Sequence, residues 1–536
     1  MNHPEPGTPV RPATRAFTRG PGAPRASLAF PLFPLAAAAL LGLYAFLPAG
    51  RQNPVLRASF LGASAILLAW TVWLFVRTRE EGRALDMAVV IRRPHYIQML
   101  AQGSVLVYWG WWVRSVYAFS PYVLAQIVFA YGVDSLLNWT RRDTYRLGVG
   151  PIPVVFSISL FLWFKLEVFY WQFALVALVF FGKEFLRWTR DGASRHIFNP
   201  SSFALAVAAA LLIATGRTDI TYGLEIATTQ MNPPWIYLAI FVASLPGQIL
   251  FGVTTMTVSA VVSAYAFGLG YYALTGTYFF HDAYIPIAVF LGMHLLFTDP
   301  ATSPRSERGR VLFGVLYGLG VIACAALLNA FGVPTFWDKL LPVPILNLMV
   351  RRIDSWVASG RLKLPNLFFF APGMSPAQHR YAVVGLWVAV FFGLRAVHGV
   401  GDWHPGQFLP FWSQACEKGS ERACDYMGFM QQNYCDRGSG WACNEFGVFL
   451  AVHDGNAAGA ERELRRACEL GSPEGCGNLE AVREGSGGVL ARGQPPLKEL
   501  PIVLRGSKGP VTERDPGALY TLACREGWPG ACATAK

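Results

Sequence analysis

The stretch VLFGVLYGLGVIACAALLNAFG, residues 311–332, runs for 22 residues without a charged side chain. A helix rises 1.5 Å per residue, so about 20 apolar residues cover the ~30 Å hydrocarbon core of a bilayer. This run therefore predicts a membrane-spanning helix. Its small residues Gly314, Gly318 and Gly320 predict close packing against a neighbouring helix, and Cys324 reads as a small core residue.

The segment 28–48 (LAFPLFPLAAAALLGLYAFLP) is of the same kind, and reads as an anchor rather than a cleavable signal. Further apolar runs lie at 55–76, 97–113, 120–138, 150–164, 167–182, 199–215, 235–252, 254–275, 284–298, 341–350 and 380–398. That makes about thirteen candidate spans. The composition agrees: 53% of residues are hydrophobic and 15% charged, against roughly 25% charged in soluble domains. A single soluble globular domain is excluded. The expected fold is all-α: a polytopic transmembrane bundle of about 11–13 spans, followed by a C-terminal helical-repeat domain.

Loop charge sets the threading, because Lys and Arg gather in cytoplasmic loops. With the basic N-terminus inside, alternate loops carry Arg77/Arg79/Arg83/Arg92/Arg93, then Arg141/Arg142/Arg146, then Lys183/Arg187/Arg190/Arg195. Later ones carry Arg305/Arg308/Arg310 and Arg351/Arg352/Arg361/Lys363. The net charge of +12 is then a property of cytoplasmic loops, and nucleic acid is not an expected partner. An odd number of spans puts the C-terminal region outside, in the periplasm of a bacterial inner membrane.

The expected organisation is a disordered basic tail (1–27), an N-terminal transmembrane pair (28–90), a membrane core (91–360), and a cytoplasmic loop with a final span (361–400). Cysteine-rich helical repeats (401–481), a Gly/Pro-rich linker (482–516) and a terminal unit (517–536) complete the chain.

Eight of the nine cysteines form four pairs with seven intervening residues: Cys416/Cys424, Cys435/Cys443, Cys468/Cys476 and Cys524/Cys532. Three residues after each first Cys stands a glycine, Gly419, Gly438, Gly471 or Gly527, able to end a helix in the left-handed conformation. A second helix started there brings the two cysteines within disulfide reach. Bridges between neighbouring repeats stay an alternative. Zinc sites favour C-x₂₋₄-C clusters, and His404 and His453 are not placed as partners, so no metal is expected. Disulfides belong in an oxidising compartment, in agreement with the loop charges. The pattern A-C-x-x-G-x-x-x-A/G-C resembles the cysteine-bridged Sel1-like repeats, which implies a small helical module for protein contacts.

Within the membrane part, Arg195-His196-Ile197-Phe198-Asn199-Pro200-Ser201-Ser202-Phe203 places an Asn-Pro turn before a helix. A second segment, Phe297-Thr298-Asp299-Pro300-Ala301-Thr302-Ser303-Pro304, closes another span. Together and in this order they resemble the membrane family containing the NqrB and RnfD subunits of ion-pumping respiratory complexes, whose enediyne-cluster branch, UnbU, shares the same motifs. Two further stretches strengthen the likeness: Gly247-Gln248-Ile249-Leu250-Phe251-Gly252-Val253-Thr254-Thr255 at a helix junction, and Pro344-Ile345-Leu346-Asn347-Leu348 with Ile353-Asp354.

The resemblance implies FMN, held through a phosphoester to a Thr on the outer side. Its counterpart here is Leu224-Glu225-Ile226-Ala227-Thr228-Thr229, with Thr228 the acceptor and Ala227 and Thr229 beside it, although Ile226 stands where the family has Gly. His196, Asn199, Thr298, Asp299 and Thr302 become candidate cofactor-site residues. The implied function is a membrane subunit of an electron-transfer system, with possible ion translocation, working with other subunits: a cytoplasmic NAD(P)H- or ferredoxin-facing module and flavinylated partners. The alternative is a non-redox scaffold or small-molecule transporter whose tail binds a protein.

Four further features have two readings each. Tyr108-Trp109-Gly110-Trp111-Trp112 is an interfacial aromatic belt or a stacking platform. Asp134 and Glu184 are ion or proton sites, or else Asp134 is satisfied by Ser135 and Asn138 and Glu184 pairs with Lys183 at the cytoplasmic boundary; His294 contacts a headgroup or cofactor, or is a satisfied interfacial histidine. No Walker A, C-x-x-C-H or H-E-x-x-H motif is present, so nothing points to a nucleotide hydrolase, a c-type haem protein or a zinc protease.

Overall fold

The computed structural model describes residues 29–360, 374–485, 489–493, 516–525 and 532, apart from Asp191, Asp282, Trp403 and Arg437. The basic tail 1–27, part of the 361–400 loop, most of the 482–516 linker and Gly527 lie outside the described residues.

The membrane part is helical. It contains α1 (Ala29–Tyr44), α2 (Pro48–Gln52), α3 (Pro54–Glu80), α4 (Arg93–Trp112), α5 (Arg114–Ala118), α6 (Ser120–Arg141), α7 (Pro151–Ser159) and α8 (Tyr170–Phe185). It continues with α9 (Pro200–Ala214), α10 (Gly223–Thr229), α11 (Ile236–Phe251), α12 (Thr254–Thr275), α13 (Ile287–Leu295), α14 (Glu307–Ala330), α15 (Pro342–Ala358) and α16 (Pro376–Ala396). Every predicted apolar run contains a helix. Four of these helices, α3, α6, α12 and α14, are individually long and apolar enough to cross a membrane.

The runs at 150–164 and 284–298 are not full-length helices. Both α7 and α13 have only nine residues, about 14 Å of helix. The rest of the first crossing, from Leu160 to Phe164, is not helical: Leu160 and Phe161 turn the chain, and all five side chains are buried. Non-helical backbone at membrane depth is tolerated where protein surrounds it. Here Gln172 Oε1 accepts from the Phe164 N–H (3.0 Å), the Tyr222 N–H donates to Trp163 O (2.8 Å), and the Lys165 N–H donates to Ile220 O (3.0 Å). Helix α13 is buried along its whole length.

Glycine spacing on α14 has the predicted result. A Cβ on Gly314 would come within 2.3 Å of Met256 O, and one on Gly318 within 2.6 Å of Ala260 O, so only glycine lets α12 and α14 meet so closely. Gly252, at φ +63°, ends α11 in the left-handed conformation, which fits the predicted junction ahead of α12.

Among the described residues, the predicted basic loops share one end of the bundle. Short strands β1 (Asp86–Val89) and β2 (Thr144–Leu147) pair in parallel there, and Arg83 meets Asp143 at 2.6 Å. Strands β3 (Arg187–Arg190) and β4 (Ala193–His196) form a hairpin, whose Arg190 reaches Asp354 at 2.7 Å.

Beyond the membrane part, α17 (Leu409–Glu417), α18 (Glu421–Asp436), α19 (Gly440–Val452), α20 (Ala457–Glu469), α21 (Pro473–Arg483) and α22 (Pro516–Arg525) form the tail. All four cysteine pairs close within the pair. Cys416 is bonded to Cys424 (Cα–Cα 4.7 Å), Cys435 to Cys443 (4.5 Å), Cys468 to Cys476 (4.6 Å) and Cys524 to Cys532 (4.7 Å). The alternative of bridges between neighbouring repeats is thereby set aside. Gly419, Gly438 and Gly471 have φ of +89°, +91° and +85°, as the helix-ending role requires. The disulfides point to an oxidising, non-cytoplasmic surrounding for this region.

Candidate functional site

Two motifs separated by a hundred residues meet at the basic end of the bundle. Asn199 caps α9, its side-chain oxygen accepting from the Ser202 N–H (3.2 Å), and Pro200 supplies the pre-set first helical residue. The Asn199 amide donates to Leu296 O (2.7 Å), the backbone carbonyl that follows α13. From the third stretch, Asn347 Oδ1 accepts from the Asn199 N–H (2.9 Å) and its amide donates to Thr302 O (3.2 Å). His196 Nε2 stands 3.0 Å from Asp299 Oδ2.

Asp299 organises its own turn. One oxygen accepts from the Ala301 N–H (3.0 Å), and the other accepts from the Thr302 hydroxyl (3.2 Å) as well as facing His196. Burial alone pushes the Asp299 carboxyl up, but the hydrogen bond and charge of His196, with the Ala301 and Thr302 donors, outweigh it and hold the group below its ordinary range. Thr298 is spent locally, donating to His294 O (2.9 Å).

This cluster lines a polar cavity. A space of about 130 Å³ is bordered by His95, Gln98, Gln102, Lys183, His196 and Asp299 among others. A second, of about 390 Å³, is bordered by Arg92, Asp134, Arg142 and Arg146. Both include His95, Gly150 and Lys183 in their walls, so they form one two-lobed cleft. Among the described residues, Gln102 Oε1 is buried without a hydrogen-bond partner. His95, Gln98 and Gln102 escaped the sequence reading, yet their spacing, three and then four residues, sets all three on one face of α4. That polar stripe inside an otherwise apolar helix was the available signal.

Thr228 belongs to a different place. Helix α9 spans 15 residues, about 22 Å, and carries the chain from Asn199 to the opposite end, where α10 begins at Gly223. The Thr228 hydroxyl donates to Leu224 O (3.0 Å), and Thr229 to Glu225 O (2.5 Å). Ala227 and both threonines are half-buried. Beneath α10, Gln230 donates to Leu160 O (2.7 Å). Four buried polar atoms around that point, Gln230 Oε1, Ser159 Oγ, Trp163 Nε1 and Trp109 Nε1, have no hydrogen-bond partner among the described residues. The rings of Trp109 and Phe119 stack on Trp163 at 5.5 and 4.1 Å.

The predicted disulfide cysteines belong to neither place. Cys424, Cys435 and Cys443 are buried in the tail's own core, and Cys416 and Cys524 pack against it. Cys468, Cys476 and Cys532 are half-buried. None of the eight lines either lobe of the cleft, so their part is to staple helix to helix within the tail.

The remaining candidates resolve individually. The aromatic run divides: Trp109 is core, whereas Trp111 and Trp112 are exposed. Asp134 is not satisfied by Ser135, which donates to Gly132 O (2.8 Å); it accepts from the Tyr145 hydroxyl (3.2 Å) instead, because β2 folds back over α6. Glu184 pairs with Arg141 and Arg142 (3.1 and 2.7 Å) rather than with Lys183. His294 is buried rather than interfacial, its Nδ1 2.6 Å from Phe290 O, since α13 is enclosed on all sides. The described residues contain no cluster of three His, Cys, Asp or Glu able to hold a metal. Neither a family model, nor a curated protein, nor a solved structure matches the chain.

Proposed function

We propose that this chain is a membrane subunit of an NqrB/RnfD-like electron-transfer system, carrying flavin at Thr228 on the outer side. The observation that supports it most is the convergence of the three resembling stretches: His196 on Asp299, Asn199 on Leu296 O, and Asn347 on both Asn199 and Thr302 O. Motifs that are mere caps and turns have no reason to find one another across the bundle.

The residues around Thr228 fit an FMN group. A half-buried hydroxyl at the last turn of a short helix is accessible for phosphoester formation, and the four unpartnered polar atoms beneath it offer donors and acceptors to a planar heterocycle. FMN when bound supplies one- and two-electron chemistry. The chain's own part is positional: α10 presents Thr228, Gln230 ties α10 to Leu160, and Trp163 stacks with Trp109 and Phe119.

Sidedness follows the positive-inside rule: the basic end faces the cytoplasm, and the disulfide-bonded tail faces the periplasm of a bacterial inner membrane. Partners are then a cytoplasmic electron-donating module and further redox subunits. Flavin extraction from the purified protein, before and after denaturation, tests the proposal.

A second reading, transport of a small polar molecule, is favoured by the two-lobed cleft at the basic end. Its test is substrate flux in proteoliposomes, which a redox subunit without a transport role does not produce.

A further inference from the structure

Basic side chains converge on the cleft at one end of the bundle. Its larger lobe, about 390 Å³, is bordered by Arg92 ahead of α4, Arg142 after α6, Arg146 on β2 and Lys183 on α8, and against them stands the carboxylate of Asp134. Arg142 is balanced by Glu184 at 2.7 Å, and Asp134 accepts from the Tyr145 hydroxyl at 3.2 Å. Among the described residues, the side chains of Arg92, Arg146 and Lys183 make no ion pair or hydrogen bond.

Other arginines at this end are paired: Arg77 with Glu81 (2.7 Å), Arg83 with Asp143 (2.6 Å) and Arg190 with Asp354 (2.7 Å). The positive-inside rule accounts for basic residues lying on this face. It gives no reason for three of them to border one hollow unpaired.

The smaller lobe, about 130 Å³, has a different need. Gln102, 2% exposed, stands in its wall with Oε1 buried and without a partner among the described residues. A buried acceptor left unmade is costly, and a ligand hydroxyl satisfies it by donating. The carboxylate of that lobe, Asp299, is already engaged by His196, Ala301 and Thr302. Lys183, His95 and Gly150 border both lobes. A Cβ on Gly150 would come within 3.1 Å of His95 Nδ1, so glycine there leaves room where the lobes join.

We propose that the cleft binds glycerol phosphate, with its phosphate held by Arg92, Arg146 and Lys183 in the larger lobe and a hydroxyl donating to Gln102 Oε1 in the smaller one. A phosphate monoester carries nearly two negative charges at neutral pH, which matches three unpaired cations facing one carboxylate better than a carboxylic acid does. Guanidinium groups also take phosphate oxygens in pairs. The headgroup of phosphatidylglycerol presents the same group as a singly charged diester, so the charge balance favours the free monoester as its source. The assignment shares its cleft with the transport reading without depending on it, because binding at equilibrium does not require crossing.

Isothermal titration calorimetry on the full chain in detergent tests this with glycerol phosphate, inorganic phosphate and glycerol as probes. Glycerol phosphate is expected to bind about tenfold more tightly than inorganic phosphate, the scale of one added hydrogen bond to a buried group, and glycerol is expected not to bind. Gln102→Leu removes that preference and, by deleting an unpartnered buried amide, raises the melting temperature of the ligand-free chain. Lys183→Met and Arg146→Ser each weaken both phosphates about tenfold or more. Arg146 is exposed, so its replacement leaves the ligand-free melting temperature unchanged and keeps the test valid where Lys183→Met fails to fold. Repeating the titration in nanodiscs containing phosphatidylglycerol separates the two sources: undiminished affinity assigns the site to the soluble monoester, and competition that Arg146→Ser abolishes assigns it to the lipid headgroup. Absence of binding at millimolar glycerol phosphate, equal affinity for inorganic phosphate, or affinity untouched by Arg146→Ser overturns the proposal. Binding without flux in proteoliposomes contradicts transport alone.

Discussion

His196 and Asp299, 103 residues apart in the chain, face each other at 3.0 Å between Nε2 and Oδ2. The contact joins the hairpin before α9 to the turn after α13, so it ties together the two segments on which the functional reading rests. The Asp299 carboxylate also holds its own turn through Ala301 and Thr302.

Replacing that carboxylate removes three partners at once. Asp299→Ala is expected to cost about 2–4 kcal/mol, the range for breaking a mostly buried charge-assisted network. Asp299→Asn retains an acceptor for Ala301 and is expected to lose less. Thermal unfolding in detergent measures both, and equal melting temperatures for Asp299→Ala and the parent contradict the network.

Asn199→Ala removes the α9 cap and the bond to Leu296 O together. The combined loss is expected to be about 2–3 kcal/mol, and His196 and Asp299 lose the anchor that sets their separation. A melting shift no larger than that of a surface alanine substitution on α9 speaks against this.

Much of this architecture was legible because hydropathy is a local property. Each of the thirteen apolar runs contains a helix, and the eight-residue cysteine spacing offered intra-pair bridges beside bridges between repeats, of which the structure has the first: Cys416 with Cys424, Cys435 with Cys443, Cys468 with Cys476 and Cys524 with Cys532. Glycines at φ +85° to +91° explain the first three of these turns. What local sequence could not show is how partners meet. The shortness of α7 depends on Trp163 and Lys165 bonding to the 220–222 segment, and the satisfaction of Asp134 depends on Tyr145 arriving from β2. His196 and Asp299 were each visible as motif residues, but their contact was not. Residues 489–493 read as linker because the Gly/Pro-rich composition of 482–516 carries no sign that Asn444 and Asn478 hold Ala491.

Gly318→Val is expected to separate α12 from α14. The added atoms meet Ala260 O and Ser263 Oγ, at 2.6 and 2.4 Å from the first Cβ alone, and backbone cannot yield as a side-chain tip does. A cost of about 3 kcal/mol or more is expected, read as loss of monodisperse protein in size-exclusion chromatography. Gly270→Ala on α12, where a Cβ meets nothing within 4 Å, is the tolerated control.

Glu445 makes the tail pH-sensitive. Burial first of all pushes its carboxyl up to about 7 from an ordinary 4.5, against the opposing pull of Arg492, Gly493 and Asn444. The folded tail thus holds a proton that the unfolded chain has released, and the associated stability is full below about 4.5 and is lost as the pH rises through about 7. The difference in melting temperature between the parent and Glu445→Gln should shift in favour of Gln between pH ~5 and ~8. A pH-independent difference contradicts the assignment.

Each disulfide closes a short loop, with a sequence separation of 8. Replacing Cys435 and Cys443 by Ser is expected to cost about 2.5 kcal/mol on chain-entropy grounds. Mass mapping without reduction should find four intra-pair bridges and Cys324 alone free. Bridges from Cys424 to Cys435, or from Cys476 to Cys532, contradict the helix-turn-helix account.

Flavin carried at Thr228, as proposed, is read out by in-gel flavin fluorescence after SDS denaturation. The chain and its Thr228→Ala variant are expressed in a host that possesses a flavin transferase. A fluorescent parent band beside a dark variant is the predicted result. A dark parent band, with no flavin released from the native purified protein, contradicts the claim and favours transport through the cleft at the basic end.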